Sequence, residues 1–211
     1  MLIVINLIIN INTLVIFNSI FYLKLFCIII NNIYKQYKKK NKTTAMTKIF
    51  KPITAVAVFN GPRIRGTVHF VEDPNPNSNL IHIRINLEGL GKNALHGFHV
   101  HESGDLTDKC ESMCAHFNPY GKKHGCPGAK ERHVGDLGNL QTNSLGKCNY
   151  VMIDDIIKLR GSSANIIGRG LIIHAKPDDC GLGKFEDSLT TGHAGKRIAC
   201  AVIGYAKENF V

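Results

Sequence analysis

From Ile53 onward the sequence runs in short apolar stretches that end on Gly, Pro or Asn, and no segment after residue 47 carries a helical period. The plainest stretch is IHIRINL (81–87), where Ile81, Ile83, Ile85 and Leu87 alternate with His82, Arg84 and Asn86. Successive side chains of a strand face opposite ways, so this pattern buries one face and wets the other. ITAVAVFN, closed by Asn60-Gly61-Pro62, reads the same way, as do GTVHFVE (66–72) and LHGFHVHE (95–102). LQTN, KCNYVMI, IIKLRG, NIIGRGLIIHAK and RIACAVIGYAK follow. Many short strands at nearly even spacing predict an all-β sandwich or barrel. No internal repeat is evident.

Residues 103–139 and 175–196 break the rhythm. Both are long, polar and rich in Gly and Pro. Loops of this length in a compact domain are usually functional or disordered. Their apolar content is too low to order them, so metal ligands or a covalent cross-link are the candidates for doing so.

The chain has 10 His and 7 Cys in 211 residues. His99-Val100-His101 lies in a strand pattern, and side chains at i and i+2 share one face, so both imidazoles project together. His116, His124, His133 and Asp136 follow within the first long loop. Three imidazoles and a carboxylate suit a tetrahedral zinc site. His174 ends the run LIIH just before the second long loop. His69 and His82 have no such partner and read as ordinary strand histidines; His96 and His193 stay unassigned on these grounds.

Charge is unevenly spread. Lys and Arg number 26 against 16 Asp and Glu, for a net +10, but all 16 acids lie after residue 46 and six of the Lys precede it. Residues 47–211 are therefore only mildly basic, and nucleic-acid binding does not follow from the total. Residues 1–46 form an apolar, then Lys-rich, extension. The uncharged stretch 2–23 has the length of a membrane span but four Asn. If residues 1–34 insert, the basic run Lys35 to Lys42 leaves the rest on the cytoplasmic side. No basic segment precedes the apolar run and no A-x-A-like site follows it, so a cleavable signal fits badly. The other reading is that Met46 is the natural start. The odd number of Cys argues for a reducing compartment, which makes the cytoplasm the expected location.

Four motifs stand in order along residues 52–207: Gly97-Phe98-His99-Val100-His101-Glu102, His116-Phe117-Asn118-Pro119, Arg132-His133-Val134-Gly135-Asp136-Leu137-Gly138-Asn139, and Ala194-Gly195-Lys196-Arg197-Ile198-Ala199-Cys200. In order and spacing they resemble the eukaryotic-type copper/zinc superoxide dismutases. The resemblance implies an eight-stranded Greek-key β-barrel whose two long segments are a metal-binding and an electrostatic loop. It implies one copper and one zinc per subunit. His99, His101 and His174 match copper ligands, and His116 matches the histidine that bridges both metals. His124, His133 and Asp136 match the remaining zinc ligands. Asp178 matches the carboxylate that links His99 to His124, and His96 matches a framework histidine. Arg197 matches the arginine that guides the superoxide anion. Cys110 and Cys200 match the intrasubunit disulfide.

Some positions depart from the family. Thr190 stands where many relatives carry Lys, which removes a positive charge near the acidic pair Glu186 and Asp187; Lys184 and Lys196 are the candidates to replace it. Cys114 and Cys126 lie in the metal loop where relatives have small residues, and they read as free thiols. A wrong disulfide from Cys110 to Cys114 and stray metal capture are the alternatives. Cys148 reads as a buried hydrophobe. The resemblance implies a homodimer through the face near Gly104, Ile166-Ile167-Gly168 and the C-terminal strand, although Ser103 and Tyr205 replace residues that are often apolar. A copper chaperone is a further candidate partner. A copper-delivery protein on the same barrel is disfavoured, since no Cys-x-x-Cys occurs and all four histidines of the copper set are present. Arg197 speaks against a mere metal store.

Overall fold

A computed structural model describes residues 28–36 and 50–210. The chain divides into two units, Met1–Ile49 and Phe50–Val211. In the first, residues 28–36 are helical with every residue exposed. The apolar stretch 2–23 and the start at Met46 lie outside the described residues. Among the described residues no helix is long and apolar enough to cross a membrane.

The second unit holds eight strands: β1 (Thr54–Asn60), β2 (Arg65–Glu72), β3 (Ile81–Glu88), β4 (Leu95–His101), β5 (Asp136–Gln141), β6 (Cys148–Asp154), β7 (Gly170–His174) and β8 (Arg197–Tyr205). They form one antiparallel order, β5-β4-β7-β8-β1-β2-β3-β6. β5 and β6 stand at its two ends and are joined by a tight turn in which the Asn143 amide donates to the Lys147 carbonyl at 3.0 Å. The Gln141 amide donates to the Tyr150 hydroxyl at 3.0 Å, so the sheet nearly closes on itself. β3 pairs with β6, and β4 with β7, which is Greek-key connectivity.

Alternation builds the core as expected. Ile81, Ile83, Ile85 and Leu87 of β3 are buried, and Phe70, Phe98, Val100 and Leu171 complete the interior with no exposed surface. Burying such side chains contributes about 1.5–3 kcal/mol each. One expectation fails. IIKLRG and the start of NIIGRG form no strand among the described residues, apart from an isolated bridge between Lys158 and Asn165. Ile157, Leu159 and Ile166 are instead fully buried, as a connection packed into the core. Local backbone bonds, such as Lys158 amide to Ala164 carbonyl at 2.9 Å, replace a ladder.

The first long loop is shorter than expected, because β5 takes over at Asp136; otherwise both loops are irregular apart from a 3-10 turn at Glu111–Met113 and a four-residue helix at Ser188–Thr191. Cys110 and Cys200 form the expected disulfide, with their Cα atoms 5.6 Å apart. The free-thiol reading of Cys126 is corrected: it is bonded to Cys180, Cα to Cα 4.8 Å. Connectivity of this kind depends on how two loops meet, which the sequence does not reveal. Two bridges also weaken the cysteine-based case for a reducing compartment. Cys114 is free and exposed, Cys148 free and buried.

Candidate metal centre

β4 lays Phe98 and Val100 into the barrel, so His99 and His101 point the other way, under the loops. A bulge between Gly97 and His99 in the β4–β5 pairing re-aims this end of the strand. Gly97 is required there: a β-carbon would stand 2.7 Å from that of Ala194. His174 ends β7 opposite Arg197, the first residue of β8. A bridge from His101 to His116 draws the first loop over the strand ends.

Two groups of donors result. Nitrogens of His99, His101, His116 and His174 lie within 4.8 Å of one another, as do donor atoms of His116, His124, His133 and Asp136. All are buried. His116 belongs to both. Its ring centroid lies 4.1 Å from that of His99 and 5.3 Å from that of His124.

The hydrogen bonds fix which nitrogen of each ring is available. His99 Nε2 donates to Asp178 Oδ2 at 2.8 Å, His101 Nδ1 to the Cys114 carbonyl at 2.9 Å and His174 Nδ1 to the Gly195 carbonyl at 3.0 Å. The opposite nitrogens, His99 Nδ1, His101 Nε2 and His174 Nε2, are buried without a hydrogen-bond partner. Buried lone pairs left unmatched cost about 1–3 kcal/mol each. A cation at their meeting point satisfies all three, so this group fits a metal that accepts imidazole nitrogen, as copper does.

In the second group His116 Nδ1 lies 2.8 Å and His133 Nδ1 3.1 Å from Asp136 Oδ1, and His124 Nδ1 lies 3.0 Å from Oδ2. His124 Nδ1 forms no properly directed bond. Three imidazole nitrogens gathered on one carboxylate fit tetrahedral zinc. Asp178 Oδ1 accepts from His124 Nε2 at 2.8 Å, so one buried carboxylate orients a ring of each group. Such outer partners set tautomer and ring angle. The Asn139 side chain in turn donates to the Asp178 carbonyl and accepts from its amide. His96 Nδ1 donates to the His174 carbonyl at 2.8 Å, bracing the end of β7.

The electrostatics match a ligand set. Burial, with the neighbouring His116, pulls His99 down to about 3 and His101 to about 2. Burial likewise pulls His174 to about 4, so all three are neutral at physiological pH. Burial raises the Asp136 and Asp178 carboxyls, but the histidine hydrogen bonds outweigh it and hold both below the usual range. Burial lowers His124, yet the Asp136 and Asp178 carboxylates beside it carry it up to about 9. Two carboxylates around one ring demand positive charge, which a divalent ion supplies.

Arg197 lies beside the first group. Its Nη1 donates to the Cys110 carbonyl at 2.6 Å and its Nη2 to the Cys114 carbonyl at 2.5 Å. Its charge helps lower His101 and His174. Thr190 is exposed and bonds only within its own turn, at the Asp187 carbonyl. Sequence reasoning missed Gly192. At φ +63° its β-carbon would fall 2.1 Å from Asp178 Oδ1. It also missed His193, which donates to Asp187 at 2.8 Å and stacks on Phe185 at 3.7 Å.

Residues 64–203 match the sequence profile of the family described as copper/zinc superoxide dismutase (SODC). The chain belongs to this family. It is 56% identical over 169 residues to the superoxide dismutase [Cu-Zn] of Paramecium bursaria Chlorella virus 1, covering 80% of this chain and 87% of that one. It is 50% identical to the Candida albicans superoxide dismutase [Cu-Zn], covering 72% and 97%. It is 48% identical to the extracellular superoxide dismutase [Cu-Zn] of Drosophila melanogaster, covering 72% and 86%. Its fold matches the crystal structure of the clock protein EA4 with a TM-score of 0.70 at 41% identity, covering 76% of this chain and all of that one. Copper/zinc superoxide dismutases use copper and zinc, and the two donor groups are able to hold both.

Proposed function

We propose that the domain 47–211 is a superoxide dismutase that turns superoxide into O₂ and hydrogen peroxide. The observation that carries this is a four-histidine group and a His₃Asp group that share His116. In this reading His99, His101, His116 and His174 hold copper, and His116, His124, His133 and Asp136 hold zinc. When bound, copper supplies one-electron cycling, which zinc lacks. His116 Nδ1 faces Asp136, so its Nε2 is the atom that takes and returns a proton on the copper side. Arg197, pinned by the Cys110, Glu111 and Cys114 carbonyls, holds its positive charge where the anionic substrate arrives. A positive cleft raises encounter rates by roughly 10–10³. The Cys110–Cys200 bridge fixes the loop whose carbonyls hold that guanidinium.

The same reading makes the protein a homodimer through the face near Gly104, Ile166-Ile167-Gly168 and the C-terminal strand β8. It places the enzyme in the cytoplasm, or on the cytoplasmic side if residues 1–34 insert; cell fractionation tests this. The central test is superoxide consumption by the purified, metal-quantified protein at low and high ionic strength. Fast, copper-dependent, salt-sensitive turnover is expected. Bound copper and zinc without turnover would overturn the reading in favour of a metal store or carrier.

A further inference from the structure

The Cys126–Cys180 bond joins the two long loops directly, across 54 residues of chain. Cys126 follows His124 by two residues, and Cys180 follows Asp178 by two. The His124–Asp178 hydrogen bond and the disulfide are thus parallel rungs of one small ring. Both sulfurs and an Asp178 oxygen lie within 4.8 Å of one another, so the bond sits against the carboxylate that orients His99 and His124. Further bonds tie the ring to both carboxylates: Gly125 amide to Asp136 Oδ2 at 3.1 Å and Cys180 amide to Asp178 Oδ1 at 2.7 Å. Cys180 holds a left-handed conformation, φ +61°, that a β-carbon disfavours. Across the same seam the His124 amide donates to the Leu189 carbonyl at 2.9 Å.

Apart from the disulfide, the contacts named across this seam are hydrogen bonds, and the loops bring few apolar side chains to hold themselves closed. We propose that Cys126 and Cys180 are positioning residues for the His₃Asp group: their disulfide keeps His124 and Asp178 in register before any metal is bound. A cross-link removes freedom from the open ensemble. Ligands held in place in advance then bind their ion with less ordering cost. The inference rests on the zinc assignment of that group under the proposed function.

The test compares the full chain with Cys126→Ser/Cys180→Ser, with Cys126→Ala/Cys180→Ala as a second background. Three readouts apply: zinc transfer to a chromogenic chelator, the d–d absorption of Co²⁺ placed in the zinc site, and hydrogen exchange of the metal-free chain. Both double variants are expected to release zinc about 10–100-fold faster, if the loss of affinity that follows removal of outer-shell partners falls on release. Their Co²⁺ band should shift or broaden. Residues 123–136 and 175–193 should lose exchange protection while β1–β3 keep theirs, which shows that the barrel is folded. Unchanged release, spectrum and loop protection would overturn the clamp. Equal loss of protection in β1–β3 would also overturn it, in favour of a general fold staple. Superoxide turnover of the parent is read separately: its absence would sink the proposed activity, while slow zinc release that depends on the disulfide would keep the clamp.

Discussion

His116 is the one residue shared by the two donor groups, and under the proposed function it bridges them. His116→Ala is expected to cut superoxide turnover by about 10²-fold or more. Metal analysis should show that copper and zinc no longer report on each other; near-full turnover would end the bridging assignment. Under the proposed function Arg197 acts through charge. Arg197→Glu is expected to slow turnover at low salt by roughly 10–10³ and to flatten or invert its salt dependence, because salt screens steered encounter. Stopped-flow rates across ionic strength check this, and an unchanged rate and slope would discard the steering role. The two free thiols of the barrel unit differ in reach. Cys148 is 1% exposed, and burial pushes its thiol up to about 11. The stability that its neutral form contributes is complete below the ordinary Cys value and lost as pH rises through about 11. A maleimide at neutral pH is therefore expected to label Cys114 and spare Cys148, as read by peptide mapping.

At the level of elements, the two loops are ordered by a few buried polar contacts, and Gly192 shows how tightly. A β-carbon there meets both Asp178 Oδ1 and His124 Nε2 on a left-handed backbone. Gly192→Ala is expected to cost about 1–2 kcal/mol from the backbone alone. It should also speed zinc release by pushing His124 off Asp178; thermal unfolding and chelator kinetics separate the two effects. The elements differ in how plainly the sequence displays them. β3 was legible because one face is buried and the other wet. His99 and His101 were legible because period two puts them on one face. Residues 155–169 misled because buried apolar residues look alike in a strand and in a plug, and only the absence of a partner strand separates them. Asp178 carried no local signal: its partners lie 79 and 54 residues away, so only likeness to a family pointed to it. The Cys126–Cys180 bond was hidden for the same reason, since both ends lie on irregular loops.

Across the whole barrel the outer surface is divided by polarity. The outward side of β3 is His82, Arg84, Asn86 and Glu88, none of them buried. The outward side of β1 and β8 includes Val56, Val58, Ile198 and Val202, with Val58 57% and Ile198 41% exposed, beside the polar Thr54 and Asn60 at the ends of β1. Beside it Gly104 packs so closely on the Gly168 carbonyl that a β-carbon would fall 2.2 Å from it, and the Gly168 amide donates to the Ile203 carbonyl at 2.7 Å. The edge of this face is thus rigid backbone, which suits a second copy better than a mobile ligand. Tyr205, 48% exposed, brings a hydroxyl to the rim, where a polar group can stay wet. A self-complementary patch closes as a two-fold pair, so an outward charge on one copy meets its own image. Sedimentation of the metal-loaded protein at micromolar concentration is expected to give a dimer, and Val58→Glu to give a monomer with the β-barrel intact. A monomeric parent would show that this apolar face serves some other partner.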